Sequence, residues 1–222
     1  MSYNVAIDGP AGAGKSTIAK LVAKEKGYIY VDTGAMYRGL AIHFLDQGIR
    51  PEETEKIIAA CPDADVTICY EEGQQQVYLN ENNITARLRD EAVGNMASVS
   101  SAIPEVRAKL LDLQRSLART QNVIMDGRDI GTCVLPNADV KVYLTASVET
   151  RAERRFKELQ EKGVNCNLEE IAKDIAERDH RDMTREIAPL KQAEDAILVD
   201  SSYMTIDEVV ACIEGYIEKA LV

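Results

Sequence analysis

Histidine is scarce in this chain: there are two, His43 and His180, and neither stands in a recognisable catalytic arrangement. Chemistry that needs a histidine general base is therefore disfavoured, and both side chains are expected to pack or to lie on the surface. Basic residues are also short, 26 against 37 acidic ones, for a net charge of −11. That balance argues against a nucleic-acid partner or an acidic membrane. Any anionic substrate must then be drawn by local clusters of arginine. Cys61, Cys69, Cys133, Cys166 and Cys212 form no C-x-x-C pair and no metal spacing, and an odd number cannot all be bridged internally. A reducing, cytoplasmic setting is expected. No apolar run is long enough to span a membrane, residues 1–8 already read as a strand rather than as a signal, and no repeat or low-complexity segment interrupts the chain.

What is present is an ordinary globular composition, 45% hydrophobic and 28% charged over 222 residues. That length suits one α/β domain with room for a small inserted one. Its focus is Gly9-Pro10-Ala11-Gly12-Ala13-Gly14-Lys15-Ser16-Thr17, which fits the phosphate-loop pattern G-x-x-x-x-G-K-[ST]. A β-prone run, Tyr3 to Ile7, precedes it, and Ile18, Leu21 and Val22 follow at helical spacing. The glycines let the backbone wrap a polyphosphate and present N–H groups at a helix N-terminus. Lys15 adds a mobile charge for the terminal phosphates. Ser16 offers a hydroxyl to Mg²⁺, a hard cation that prefers oxygen.

A second strand, Tyr28 to Val31, leads into Asp32-Thr33-Gly34-Ala35-Met36-Tyr37-Arg38 and a helix with Tyr37, Leu40, Ala41, Phe44 and Leu45 on one stripe. Arg38, expected on its first turn, would face the crevice at the strands' C-terminal ends, where open α/β sheets bind ligands. From Asp63 the pattern becomes three short β-prone runs, Val66–Tyr70, Gln76–Leu79 and Asn83–Thr85, read as an inserted antiparallel meander. Helical periodicity resumes near Asp90 and again at Pro104, with Val106, Leu110, Leu113 and Leu117 as the expected buried face. The buried strand Asn122 to Met125 stops at Asp126-Gly127-Arg128-Asp129, a costly way to end a core strand unless those groups meet ligand or solvent. Asp126 is placed like the acid that supports Mg²⁺ in phosphate-loop enzymes, directly or through water. Strands Val140–Leu144 and Ala196–Val199 complete a count of five, and Thr205 with Glu208 opens the last helix in capping-box register.

Between those last strands, Arg151, Arg154 and Arg155 fall at i, i+3 and i+4 on one expected helix, and Arg178, Asp182 and Arg185 at i, i+4 and i+7 on another. Charge runs are usually solvated surface. Here two arginine faces joined by Glu161-Lys162-Gly163-Val164-Asn165 suit a lid that clamps a transferring phosphoryl group. The expected fold class is a P-loop NTPase: a three-layer α/β/α sandwich on a five-stranded parallel sheet, with a small antiparallel β insert and a helical lid. Residues 1–62 and 88–222 would form the core, 63–87 the insert and about 151–186 the lid.

Taken together, the phosphate loop, DTGAMYR, the meander, GRDIGT and ERDHRDMTREIAPL resemble the bacterial cytidylate kinase family along almost the whole chain. The resemblance implies transfer of the γ-phosphoryl group of ATP, with Mg²⁺, to CMP or dCMP. It implies that Thr33, Arg38, Arg128 and Arg185 surround the acceptor phosphate, that Ser98, Arg107 and Asp129 read the polar edge of cytosine, and that Arg178 and Asp182 meet the sugar. Lys15, Arg128, Arg154, Arg155, Arg178 and Arg185 would neutralise charge in the transfer, and Ser16 and Asp126 would serve the metal. The expected assembly is a monomer. The guanine-nucleotide switch is disfavoured, because its N-K-x-D segment needs an Asn-Lys dipeptide that occurs nowhere. A kinase for another nucleoside monophosphate or a small metabolite such as shikimate stays open, as does a nucleotide-binding module without turnover, although intact Lys15, Ser16 and arginine faces speak against the latter.

Overall fold

A computed structural model of the chain describes residues 2–221. In chain order, β1 (Asn4–Asp8) runs through the phosphate loop into α1 (Lys15–Lys26), and β2 (Ile29–Asp32) runs directly into α2 (Thr33–Asp46). The short helix α3 (Thr54–Ala60) precedes β3 (Val66–Glu71), β4 (Gln74–Leu79) and β5 (Asn82–Asn83). Then come α4 (Glu91–Ser100), α5 (Pro104–Thr120), β6 (Val123–Gly127) and β7 (Val140–Thr145). The chain closes with α6 (Val148–Glu161), α7 (Leu168–Thr184), β8 (Ile197–Asp200) and α8 (Ile206–Ala220).

β2, β6, β1, β7 and β8 form one parallel sheet in that order. Strands covered on both faces have apolar side chains on both, and alternation sorts them into two cores. Val5, Ile7, Ile124, Val142 and Leu144 face α1 and α8; Ala6, Val31, Val123 and Met125 face the layer of α2, α4 and α5. These are the three layers and five strands expected. The capping box of α8 has both halves, with Glu208 N–H donating to Thr205 Oγ at 3.3 Å and Thr205 N–H to Glu208 Oε2 at 2.8 Å.

Some local expectations shift. Because α2 starts at Thr33, Arg38 lies in its second turn, not its first. The fully buried stripe of α5 is Val106, Leu110, Gln114 and Ala118, a strict i+4 row, while Leu113 and Leu117 are only partly covered. Arg185 is not on a helix with Arg178: α7 ends at Thr184, and Arg185 is an extended cap residue. A single wide, π-type turn at Ile130–Val134, with no periodic signature, follows β6.

β3, β4 and β5 make the expected antiparallel meander. It leans on α2 where Gly39 leaves room for Val66 and Val77, which a Cβ there would meet at 3.3 Å. It also covers the outer edge of β2. Tyr70 O–H donates to the Tyr30 carbonyl at 3.0 Å, while the Gln75 amide accepts from Asp32 N–H at 2.9 Å and donates to the Asp32 carbonyl at 3.2 Å.

Candidate active site

The C-terminal ends of β1, β2 and β6 open into a cleft of about 440 Å³ between the phosphate loop, α2, α4 and the two helices α6 and α7. The loop's shape depends on two glycines. At Gly9 any Cβ would sit 1.9 Å from the Leu144 carbonyl oxygen, and Gly14, which caps α1, has φ 88°. Ala11, Gly12, Gly14, Lys15, Ser16 and Thr17 line the cleft, whereas Gly9, Pro10 and Ala13 are buried behind it. Lys15 Nζ donates to the Pro10 carbonyl at 2.8 Å. Burial, and after it the charge of Arg128, pushes that ammonium down to about 7. An incoming polyphosphate would reverse this by giving the cation a partner.

Facing the loop from β6, Asp126 accepts from Ser16 Oγ at 3.1 Å on Oδ2 and from the Tyr30 hydroxyl at 2.7 Å on Oδ1. Burial first, and then the charge of Asp32, pushes its carboxyl up to about 6. The chemistry of this donor set fits Mg²⁺: a hydroxyl and a carboxylate, both hard oxygens, beside a phosphate cradle. No group of three or more His, Cys, Asp or Glu side chains able to share an ion exists among the described residues. A cation here would therefore depend on phosphate oxygens and water for most of its shell, as Mg²⁺ does.

Deeper in the cleft, Thr33 Oγ1 donates to the Asp126 carbonyl at 2.7 Å, so its hydroxyl is oriented by the strand it adjoins. Arg128 Nε donates to Asp182 Oδ2 at 2.8 Å. Against the upward pull of burial, that guanidinium holds the Asp182 carboxyl below its usual range. Among the described residues Arg178 has no such partner. Its Nε is buried with nothing to donate to, and burial followed by the charge of Arg128 pushes its guanidinium down to about 10. Arg38, on the cleft wall nearby, has no ion-pair partner among the described residues.

A further group closes the α4–α5 side. Asp129 pairs with both Arg107 and Arg185, the latter at 3.4 Å, and the Arg107 guanidinium lies 5.7 Å from the centre of the Tyr37 ring. Burial, the largest influence, nevertheless leaves the Asp129 carboxyl above its usual value. Ser98 Oγ is buried there without a hydrogen-bond partner. This corner thus offers a hydroxyl, a carboxylate and guanidinium N–H groups to a polar ring edge.

The arginines of α6 part company. Arg151 is a strut, donating to the Ala146 carbonyl at 2.9 Å, the Ala11 carbonyl at 2.9 Å and Asp179 Oδ2 at 2.6 Å. Arg154 donates to the Ser201 carbonyl at 2.7 Å. Among the described residues Arg155 pairs only with Glu158, at 2.8 Å and half exposed, and such a pair is weak enough to exchange for a stronger anion. All the predicted arginines therefore border one cleft. Residues that spacing did not reveal are Tyr30, Asp32 and Asp8. Asp32 accepts from Ala35 N–H at 2.9 Å as the cap of α2. Asp8 holds the Ile130–Val134 turn by accepting from Ile130 N–H at 2.8 Å and Gly131 N–H at 2.7 Å. His43 is buried against the Ala60 carbonyl at 3.1 Å and His180 is exposed, both away from the cleft.

A parallel sheet whose first loop carries the phosphate-loop pattern, with arginine-bearing helices lining the same cleft, defines the class of P-loop phosphotransferases. Two solved structures share the fold. Shikimate kinase from Bacteroides thetaiotaomicron is 12% identical with a TM-score of 0.50, covering 97% of this chain and 98% of that one. A gluconokinase from Sinorhizobium meliloti is 14% identical with a TM-score of 0.50, covering 98% and 93%. At such identities the likeness is one of fold. The sequence goes further: residues 5–219 match the family described as cytidylate kinase, and the chain belongs to that family. Among its relatives, the cytidylate kinase of Caldicellulosiruptor saccharolyticus is 52% identical over 93% of this chain and 91% of its own length. Those of Exiguobacterium sp. and Streptococcus gordonii are 48% and 47% identical, each over 98% of this chain and 97% of their own. No helix among the described residues is long and apolar enough to cross a membrane.

Proposed function

We propose that this chain transfers the γ-phosphoryl group of ATP to CMP or dCMP, giving ADP and CDP or dCDP. The observation that carries the reading is Arg178: a partly buried arginine whose Nε–H is buried with no partner among the described residues, its charge disfavoured by burial and by Arg128, in the same cleft as the phosphate loop. Such a group is costly to keep unless an anion fills the space in front of it.

The acceptor is itself a phosphate, with a second pKa of about 6, so it arrives largely deprotonated and needs no general base. The work is alignment and neutralisation of charge. Backbone N–H groups of the loop and Lys15 would hold the ATP phosphates. Thr33, Arg38, Arg128 and Arg185 would hold the acceptor phosphate, with Arg178 and Asp182 at the sugar. Ser98, Arg107 and Asp129 would take the cytosine edge, a corner whose free Ser98 hydroxyl suits a ring nitrogen or carbonyl. Ser16 and Asp126 would hold Mg²⁺, which when bound would supply positive charge to the phosphates. Arg154 and Arg155, with Arg178 and Arg185, would surround the phosphoryl group in flight and exclude water as a competing acceptor. Residues 63–87 would form the acceptor-side insert and about 151–186 the lid. The reading also places the chain in the cytoplasm as a monomer.

The test is formation of ADP from Mg-ATP with CMP, dCMP, UMP, AMP, GMP or shikimate offered singly. Fast turnover confined to CMP and dCMP is expected. Turnover only with a purine nucleotide or with shikimate would keep the phosphate loop and reject the cytosine corner.

A further inference from the structure

Among the described residues Tyr30 is the one tyrosine buried in the core, and its hydroxyl ends at the candidate site. It belongs to β2, and its ring is buried in the core beneath α1, with Lys20 Nζ 5.5 Å from the ring centre. In register it stands beside Ile124 of β6, so the length of the side chain carries its hydroxyl along the neighbouring strand to Asp126 Oδ1, at 2.7 Å. The other carboxylate oxygen, Oδ2, is the one turned to Ser16 Oγ at 3.1 Å.

A carboxylate rotates freely about its last bond unless something fixes it. Here one oxygen is tied by a donor rooted in the hydrophobic core, which leaves the other presented to the phosphate loop. A phenylalanine would fill the same core space as well, so packing alone does not account for the hydroxyl. Groups that orient a metal's carboxylate typically change metal affinity by roughly 10–100-fold when removed.

We propose that the Tyr30 hydroxyl is a positioning group for the divalent cation, fixing Asp126 so that Oδ2 is the oxygen offered to the metal or to its water. The inference rests on the reading of Ser16 and Asp126 as the cation's protein ligands. Tyr30 touches neither nucleotide nor acceptor in this role.

The experiment compares ATP binding by calorimetry, with and without Mg²⁺, for wild type, Tyr30→Phe and Asp126→Asn. For Tyr30→Phe the expected result is unchanged Mg-free ATP affinity and acceptor KM, with about tenfold more Mg²⁺ needed for half-maximal enhancement of ATP binding. A wild-type Mg²⁺ requirement in Tyr30→Phe, or equal loss of ATP affinity with and without Mg²⁺, overturns the proposal. If Asp126→Asn keeps the wild-type Mg²⁺ requirement, the assignment of Asp126 itself fails, and the proposal with it; loss in Asp126→Asn alone rejects only Tyr30. A second measurement needs no variant. Mn²⁺ added with ATP should broaden the ring resonances of isotope-labelled Tyr30 beyond recognition while leaving those of Tyr203 sharp, and unbroadened Tyr30 signals would equally overturn it.

Discussion

Asp8 spends its carboxylate on the chain's own backbone. Both oxygens accept amides of the Ile130–Val134 turn, and burial pushes the carboxyl from 3.8 up to about 6 despite them. The folded state then holds a proton on Asp8 that the unfolded state has already released between about pH 4 and 6. Stability from this group is therefore full below pH 4 and is lost as pH rises through 6, by about 3 kcal/mol for a shift of two units. Asp8→Asn cannot titrate. We expect the stability advantage of wild type over Asp8→Asn, measured by urea unfolding, to shrink by about that amount between pH 4 and pH 7. A constant advantage would mean that the Asp8 carboxyl titrates like an exposed one. Nothing in the local sequence announced this role, because the partners lie 122 and 123 residues further along the chain. Separation in sequence also hid Tyr30, whose partner is 96 residues away, and the strut from Arg151 to Ala11, 140 residues apart.

Elements were easier to read, for a physical reason. The strands of the parallel sheet are short apolar runs, the phosphate loop sits between strand and helix, and the α8 cap is a four-residue motif; each is a local pattern. What escaped were elements without a pattern of their own: α3, with seven residues, and the five-residue turn at Ile130–Val134. The charged end of β6 was legible as a site because a core strand rarely ends so, yet the pairing of Arg128 with Asp182 and of Asp129 with Arg107 needed the fold. The meander's attachment is also a matter of fold. Gln75 holds both backbone groups of Asp32, the residue that caps α2 beside Arg38. Gln75→Ala removes two hydrogen bonds and should cost about 1–2 kcal/mol in thermal or urea unfolding. It should raise the KM for CMP while ATP affinity stays put; an unchanged acceptor KM would separate the meander from acceptor binding.

At the scale of the molecule, α6 and α7 are fastened at one end and exposed to solvent at the other. Arg151 ties them to the phosphate loop through Ala11 and to each other through Asp179, whereas Arg155 and the 162–167 link are exposed or partly exposed. On the proposed reading of these helices as a lid, closure would pivot about Arg151. On the proposed reading, ATP and CMP together should slow backbone hydrogen exchange at residues 161–167, and neither nucleotide alone should match that effect. Equal protection by ATP alone would mean that the acceptor takes no part in closing the cleft.

The meander's grip on β2 also bears on how the chain behaves among its own copies. β2 is an outer strand of the parallel sheet, and an outer strand with free backbone groups is a template for a stranger's strand. Here the Tyr30 carbonyl and both polar groups of Asp32 are already occupied by side chains, which cannot propagate a ladder as a backbone would. The insertion thus shields a sticky border. A shortened version of this kinase, pared of the meander to make a smaller catalyst, would expose that border during folding and at high concentration, and would be prone to aggregate before its cleft could be tested.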